Sequence, residues 1–302
     1  MIILNTLFPV FAVIGLGVLL KRYQLTSEAF LKTADRLVYF IFYPALLFWK
    51  IGGATEAVNP ALSIAALITV LVMFAISAIA IKIFGITAFQ AGSFSQSCYR
   101  FNSYVGMAVV FNAIGESGMR ELGILIGVVI PVVNVFAVAT LIWFNGQSIS
   151  HAKRLQFTIQ AVITNPLILS CIAGFGYSRM ANGFPEFLDN TLQMMATISL
   201  PLALISIGGA LSFDSIRQYT RISAVATVIK LLIFPVIGFY ALQWFHITGE
   251  AFKVGMIFFA LPTSTAIYVL SSQLNSDTQL ASAAIVLSTI ISFFSLSIVL
   301  LM

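Results

Sequence analysis

Charge is scarce in this chain of 302 residues: Asp, Glu, Lys and Arg together supply 8% of it, against about 25% in an average globular protein. No polar stretch is long enough for a soluble domain, so there is no room for a nucleotide-binding module and ATP is not expected to drive the protein. Cysteine is nearly absent. Cys98 and Cys171 both fall within apolar runs, which predicts two buried thiols and no disulfide framework. Histidine is limited to His151 and His246, both near loops. With no HExxH motif and no acid pair inside an apolar run, neither a metal site nor an embedded enzyme is expected, and no cofactor is called for. The acids are few and peripheral, since all 10 lie in loops or at the ends of apolar runs. A proton relay or a site for a cationic substrate would want one deeper.

Apolar sequence is what the chain has instead. Hydrophobic residues make up 60% and the mean hydropathy is +1.04, which places it among integral membrane proteins. A spanning helix takes about 20 residues. On that ruler the first half holds runs at Ile2 to Leu20, Arg36 to Ile51, Pro60 to Phe84, Gln90 to Ile114 and Leu122 to Phe144. The second half holds Leu155 to Gly176, Phe187 to Leu211, Arg221 to Phe245, Phe252 to Leu274 and Thr278 to Met302. The first run has no basic stretch before it and no small-residue cleavage pattern after it, so it reads as a span, not a cleaved signal. The net charge of +5 sits mostly in short loops and calls for no nucleic acid. With both termini outside, the inner loops hold Lys21, Arg22, Lys32, Arg36, Lys82, Lys153, Arg154, Arg217 and Arg221, and the outer ones Lys50, Arg120, Arg179 and Lys253. The positive-inside rule therefore predicts both termini outside the cytoplasmic membrane.

The two halves echo each other. An offset of 157 residues lays Pro9 on Pro166, Gly17 on Gly174, Phe30 on Phe187, Pro44 on Pro201, Leu47 on Leu204 and Gly52 on Gly209. Five spans per half is an odd number, so the second copy enters the membrane from the opposite side. The expected architecture is all-α: ten transmembrane helices as two inverted five-helix repeats, 1–146 and 147–302, in one integral domain. Inverted repeats are a mark of secondary transporters, whose site lies where the repeats meet.

The fourth and ninth spans carry polar clusters near mid-depth. Gln90 to Gly106 reads QAGSFSQSCYRFNSYVG and Gly255 to Ser272 reads GMIFFALPTSTAIYVLSS. Irregular backbone persists in a membrane only where protein or a wet cavity encloses it. Pro262 removes a helical donor and drives the preceding residue extended, while Thr263, Ser264 and Thr265 suit the cap of a restarted helix. Asn102 and Ser103 are placed to cap the fourth span in the same way. Two broken helices meeting centrally would offer two half-helix N-termini, an arrangement suited to a carboxylate. The competing reading is a kink at Pro262, with hydroxyls bonded back to their own helix.

At these residues the chain resembles the auxin efflux carrier family, the bacterial relatives of the plant PIN-type carriers. The resemblance rests on FPVFAVIGLGVLLKR, VYFIFYPALLF, RFNSYVGMAV, IPVVNVFAV, LPLALISIGGAL, IKLLIFPVIG, FFALPTSTAIYVLSSQLN and AIVLSTIISFF, which run through the whole chain. It implies ten spans, a scaffold part, a transport part with crossing broken helices, and export or exchange of small organic anions. This chain departs from the PIN pattern at the first crossover, where Asn102 stands in place of a proline. The long central loop of the large plant members is also lacking.

Three further polar residues are candidates for substrate contact. Arg100, a cation inside a span, either faces the substrate or snorkels from an inward vestibule. Lys230, deep in the eighth span, either meets substrate or ties the freed carbonyls of a broken helix. Asn134, in the fifth span, either lines the cavity or bonds a neighbouring helix. Asn112, Thr289 and Ser292 are weaker candidates. The expected function is a secondary transporter moving a small carboxylate outward by elevator-like alternating access, with the lipid bilayer as its medium and scaffold helices free to form a homodimer. The alternatives are a sensor on a transporter scaffold, which would bind without flux, and a proton- or sodium-coupled carboxylate symporter.

Overall fold

A computed structural model describes residues 2–53, 60–144, 156, 159–160, 163–181, 183–211 and 216–302. The expected boundary between the halves lies outside those residues, as do His151, Lys153, Arg154 and the beginning of the sixth span. Among the described residues the chain is helical and forms no strand. In chain order the helices are α1 (Ile2–Arg22), α2 (Glu28–Leu37), α3 (Tyr43–Gly52), α4 (Pro60–Ile83), α5 (Ala88–Tyr99), α6 (Ser103–Ala113) and α7 (Glu116–Phe144). There follow α8 (Pro166–Met180), α9 (Glu186–Ala210), α10 (Ile216–Val228), α11 (Phe234–Trp244), α12 (Gly249–Ala260), α13 (Ala266–Gln273) and α14 (Thr278–Leu300). Among the described residues six stretches are long and apolar enough to cross a membrane: α1, α4, α7, α9, the α10–α11 run Gln218–Trp244, and α14.

Local chemistry sets many of the helix limits. Asn165 accepts bonds from the Leu167 and Ile168 amides at 2.9 and 3.3 Å, and Pro166 takes the first helical position, where its missing N–H is no loss. Asp277 likewise caps α14, accepting from Gln279 and Leu280 at 3.1 and 3.0 Å. Two prolines are absorbed by π turns, at Val38–Phe42 between α2 and α3 and at Ile229–Ile233 between α10 and α11. In each case the helix resumes one residue before the proline, Pro44 or Pro235. The wider turn accommodates the ring and the missing donor without ending the helix.

The chain forms two compact units, and each draws on both halves of the sequence. The first comprises Met1–Pro60, Tyr104–Val128 and Ile163–Leu211. Within it α3 runs along α8 and α1 along α9, the latter pair at distances only glycine permits. A β-carbon on Gly17 would strike the Ile205 carbonyl, and one on Gly208 would strike that of Ile14. Polar ties at one end of this unit link Trp49 Nε1–H to Asp189 Oδ1 at 2.7 Å and Lys50 Nζ to Glu116 Oε1 at 2.8 Å. Cys171 is buried there as a free thiol. The second unit comprises Ala61–Ser103, Val129–Val162 and Ser212–Met302. It contains α4, α5 and α10–α14, with Cys98 also buried and free.

Candidate functional site

Helix α5 stops at Tyr99 and Arg100 is already extended, with φ −69° and ψ 146°. Helix α12 stops at Ala260, and Leu261, the residue before Pro262, is extended at φ −63° and ψ 146°. That is the conformation a following proline imposes. Both expected interruptions therefore occur, the first without a proline. They meet. The Asn102 amide donates to the Pro262 carbonyl at 2.9 Å, so each gap supplies what the other lacks. Thr263 adds two bonds: its hydroxyl donates to the Ser97 carbonyl at 2.9 Å and its amide donates to Ser288 Oγ at 3.1 Å. Asn102 and Thr263 are 2% and 1% exposed, and unpaired amides at such positions would each cost about 1–3 kcal/mol. Phe101 sets its ring edge on Phe258 with centroids 4.4 Å apart, packing the crossing beneath the polar contacts.

The named candidates divide by location. Asn102, Ser103, Pro262, Thr263, Ser264 and Thr265 are brought together at the crossing. Of the three hydroxyls expected to cap the restarted helix, Ser264 does so, accepting from the Ala266 amide at 3.3 Å. Thr265 makes no side-chain cap, and Thr263 turns instead to α5 and α14. Arg100 opens the first gap, half buried, and its guanidinium donates to Gln96 Oε1 at 3.3 Å. Lys230 sits in the second π turn with no exposure. Its ammonium lies 4.1 Å from the Phe234 ring centroid and has no hydrogen-bond partner among the described residues. Of its two readings, the tie to freed carbonyls is not made among the described residues. Asn134 is half buried on α7, and among the described residues no hydrogen bond joins it to the crossing. The weaker candidates support packing: Asn112 donates to the Thr6 carbonyl at 3.2 Å, and Thr289 and Ser292 bond back within α14 at 2.7 and 2.8 Å.

A buried serine cluster went unforeseen. Ser93 donates to Ser271 Oγ at 2.8 Å and lies 3.1 Å from Ser276 Oγ, which donates to the Phe89 carbonyl at 2.8 Å. It fastens the first half of α5 to the far end of α13, fixing both broken helices away from their gaps. The i, i+4 spacing of Ser93 and Ser97 marks one polar face of α5, yet nothing in the sequence pairs Ser93 with residues nearly 180 positions on.

Residues 2–300 match the family described as "Membrane transport protein". A protein of Rhizobium meliloti (strain 1021) named "Putative malonate transporter" is 25% identical over 146 residues, which cover 47% of this chain and 42% of that relative. The match thus spans less than half of either protein. The family match runs over nearly the whole length, on a chain that is helical with six spanning-length apolar stretches among the described residues. The chain belongs to the membrane transport protein family, that of the auxin efflux carriers its sequence resembles.

Proposed function

We propose that the protein is a secondary transporter of a small organic anion, with a dicarboxylate such as malonate as the first substrate to test. The observation that carries this reading is the crossing itself, where the Asn102 amide meets the Pro262 carbonyl at 2.9 Å and helices α6 and α13 begin beside it. Half-helix N-termini there present amides and positive dipole ends to an anion, with Arg100 at the edge of the same gap. The name of the Rhizobium relative points to the same chemical class. Ten spans in two inverted repeats, both termini outside the cytoplasmic membrane, complete the proposed architecture.

Transport then proceeds by elevator-like alternating access, and the membrane potential favours export by about 2.3 kcal/mol per charge per 100 mV. Purified protein in liposomes, with an imposed potential and no pH gradient, should give a malonate-dependent current. Electroneutral uptake that requires the gradient would sink this mechanism. Malonate should also raise the unfolding temperature of the wild type more than that of Arg100→Ala, and equal shifts would remove Arg100 from the site.

A further inference from the structure

Close packing at one level of the first unit forces a gap at the next. Gly208 sets its backbone against Ile14 and Gly17 against Ile205, and Leu20 and Leu202, one turn on, line an open pocket. Helix α2 approaches from the third side, where Gly209 admits the Leu31 side chain and Ser206 donates to the Leu31 carbonyl at 3.3 Å. The result is an open, apolar groove of about 460 Å³, lined by Leu20, Leu25, Thr26, Ser27, Phe30 and Ile205 together with Leu202. The chain turns tightly at its mouth: the Leu25 and Thr26 amides both donate to the Leu20 carbonyl, at 2.9 and 3.3 Å, with Gln24 in the left-handed region at φ 55°. Leu25 and Phe30 remain 75% and 56% exposed, which a membrane protein leaves open to acyl chains.

Charge rims the same mouth. Lys21 and Arg22 end α1 beside Leu20, at the negative end of the helix dipole. Glu28 is engaged by Lys32 at 2.8 Å. Its carboxyl is held below the usual range first by Lys32 and also by Lys21. With Lys32 occupied, Lys21 and Arg22 remain as exposed cations that directly follow Leu20, a residue of the groove lining.

We propose that this groove binds one anionic diacyl phospholipid, an acyl chain lying along Leu20, Leu202 and Ile205 and the phosphate held by Lys21 and Arg22. An apolar slot capped by two cations complements such a lipid in both parts, whereas a soluble phosphate would use only the cations. Each basic residue near a surface contributes about 1 kcal/mol toward an anionic lipid. Detergent-purified full-length protein examined by native mass spectrometry should therefore retain phosphatidylglycerol over phosphatidylcholine of matched chains by roughly 30-fold for the two cations. In Lys21→Gln/Arg22→Gln the preference should collapse to near one, with the unfolding temperature in phosphatidylcholine unchanged. Leu202→Trp, which fills the slot, should reduce retention of both lipids. Equal retention by the wild type, or a preference that survives the double substitution, would overturn the proposal. Stabilisation by glycerol phosphate equal to that by the lipid would overturn it as well, since the site would then read phosphate alone.

Discussion

Ser288→Ala tests whether the crossing is held by the bonds that converge on Thr263. Ser288 is fully buried on α14, where its hydroxyl accepts the Thr263 amide at 3.1 Å and donates to the Ile285 carbonyl at 3.2 Å. Alanine removes one oxygen and leaves little cavity, so packing changes little. What remains is a buried amide with no acceptor, beside a proline that has no amide of its own to offer. A net hydrogen bond is worth about 1 kcal/mol and an orphaned donor costs about 1–3 kcal/mol, so a loss of about 2 kcal/mol is expected. At roughly 2 °C per kcal/mol for a chain of this size, the unfolding temperature should fall by about 4 °C. Ser292→Ala is the matched control. Ser292 lies one turn further on the same helix, equally buried, and its hydroxyl donates only to the Thr289 carbonyl within its own helix at 2.8 Å. That carbonyl keeps its place in the helix, so the loss should be below about 0.5 kcal/mol. The assay is intrinsic-fluorescence thermal unfolding of both variants in one detergent, alongside flux in liposomes. Equal unfolding temperatures for the two variants would refute the reasoning.

Two other substitutions probe the remaining polar and steric features. Lys230→Met replaces a buried ammonium that has no hydrogen-bond partner among the described residues with an apolar side chain of similar length. It should raise the unfolding temperature, by about 2 °C for each kcal/mol recovered, and a fall would mean that the cation is a structural tie after all. Gly208→Ala would drive a methyl group into the Ile14 carbonyl and should cost about 1–3 kcal/mol. Gly15→Ala, with nothing within 4 Å of its β-carbon, should be neutral or stabilising; similar unfolding temperatures for the two alanine variants would refute the close approach.

The two helix breaks were legible because a membrane makes polar clusters conspicuous: QAGSFSQSCYRFNSYVG and LPTST stand out in runs of Val, Ile and Phe. The break at Pro262 follows from covalent geometry alone. The one at Arg100–Asn102 does not, since no residue there forbids a helix. It is sustained by a carbonyl 160 positions away, the Pro262 oxygen that accepts the Asn102 amide, and a partner at that distance leaves no local signal. Lys230 was conspicuous for the same reason as the clusters. Its surroundings were not, because the π turn that houses it answers to Pro235, five residues later. The second span illustrates the opposite limit: helical structure already begins at Glu28, capped by Ser27, whose Oγ accepts the Phe30 amide at 3.1 Å. The hydropathy ruler starts the span only at Arg36, since α2 carries Glu28, Lys32 and Asp35 in its polar positions.

The matched prolines and the matched glycines carry different information. Pro9 lies inside α1 whereas Pro166 opens α8, and Pro44 follows a π turn whereas Pro201 lies inside α9, so each pair has diverged in structural role. The glycines have not. A β-carbon on Gly17 would lie on the backbone of Ile205, and one on Gly174 would lie 3.2 Å from the backbone oxygen of Phe48. The offset of 157 that carries Gly17 to Gly174 also carries Phe48 to Ile205. The two contacts thus exchange partners under a single shift, a correspondence that agrees with the proposed repeat. A proline can migrate from a helix interior to its first turn and still be tolerated. A methyl group on Gly17 has no room beneath the Ile205 carbonyl and one on Gly174 is tight against that of Phe48, so these contacts constrain their residues more than a helix constrains the place of a proline.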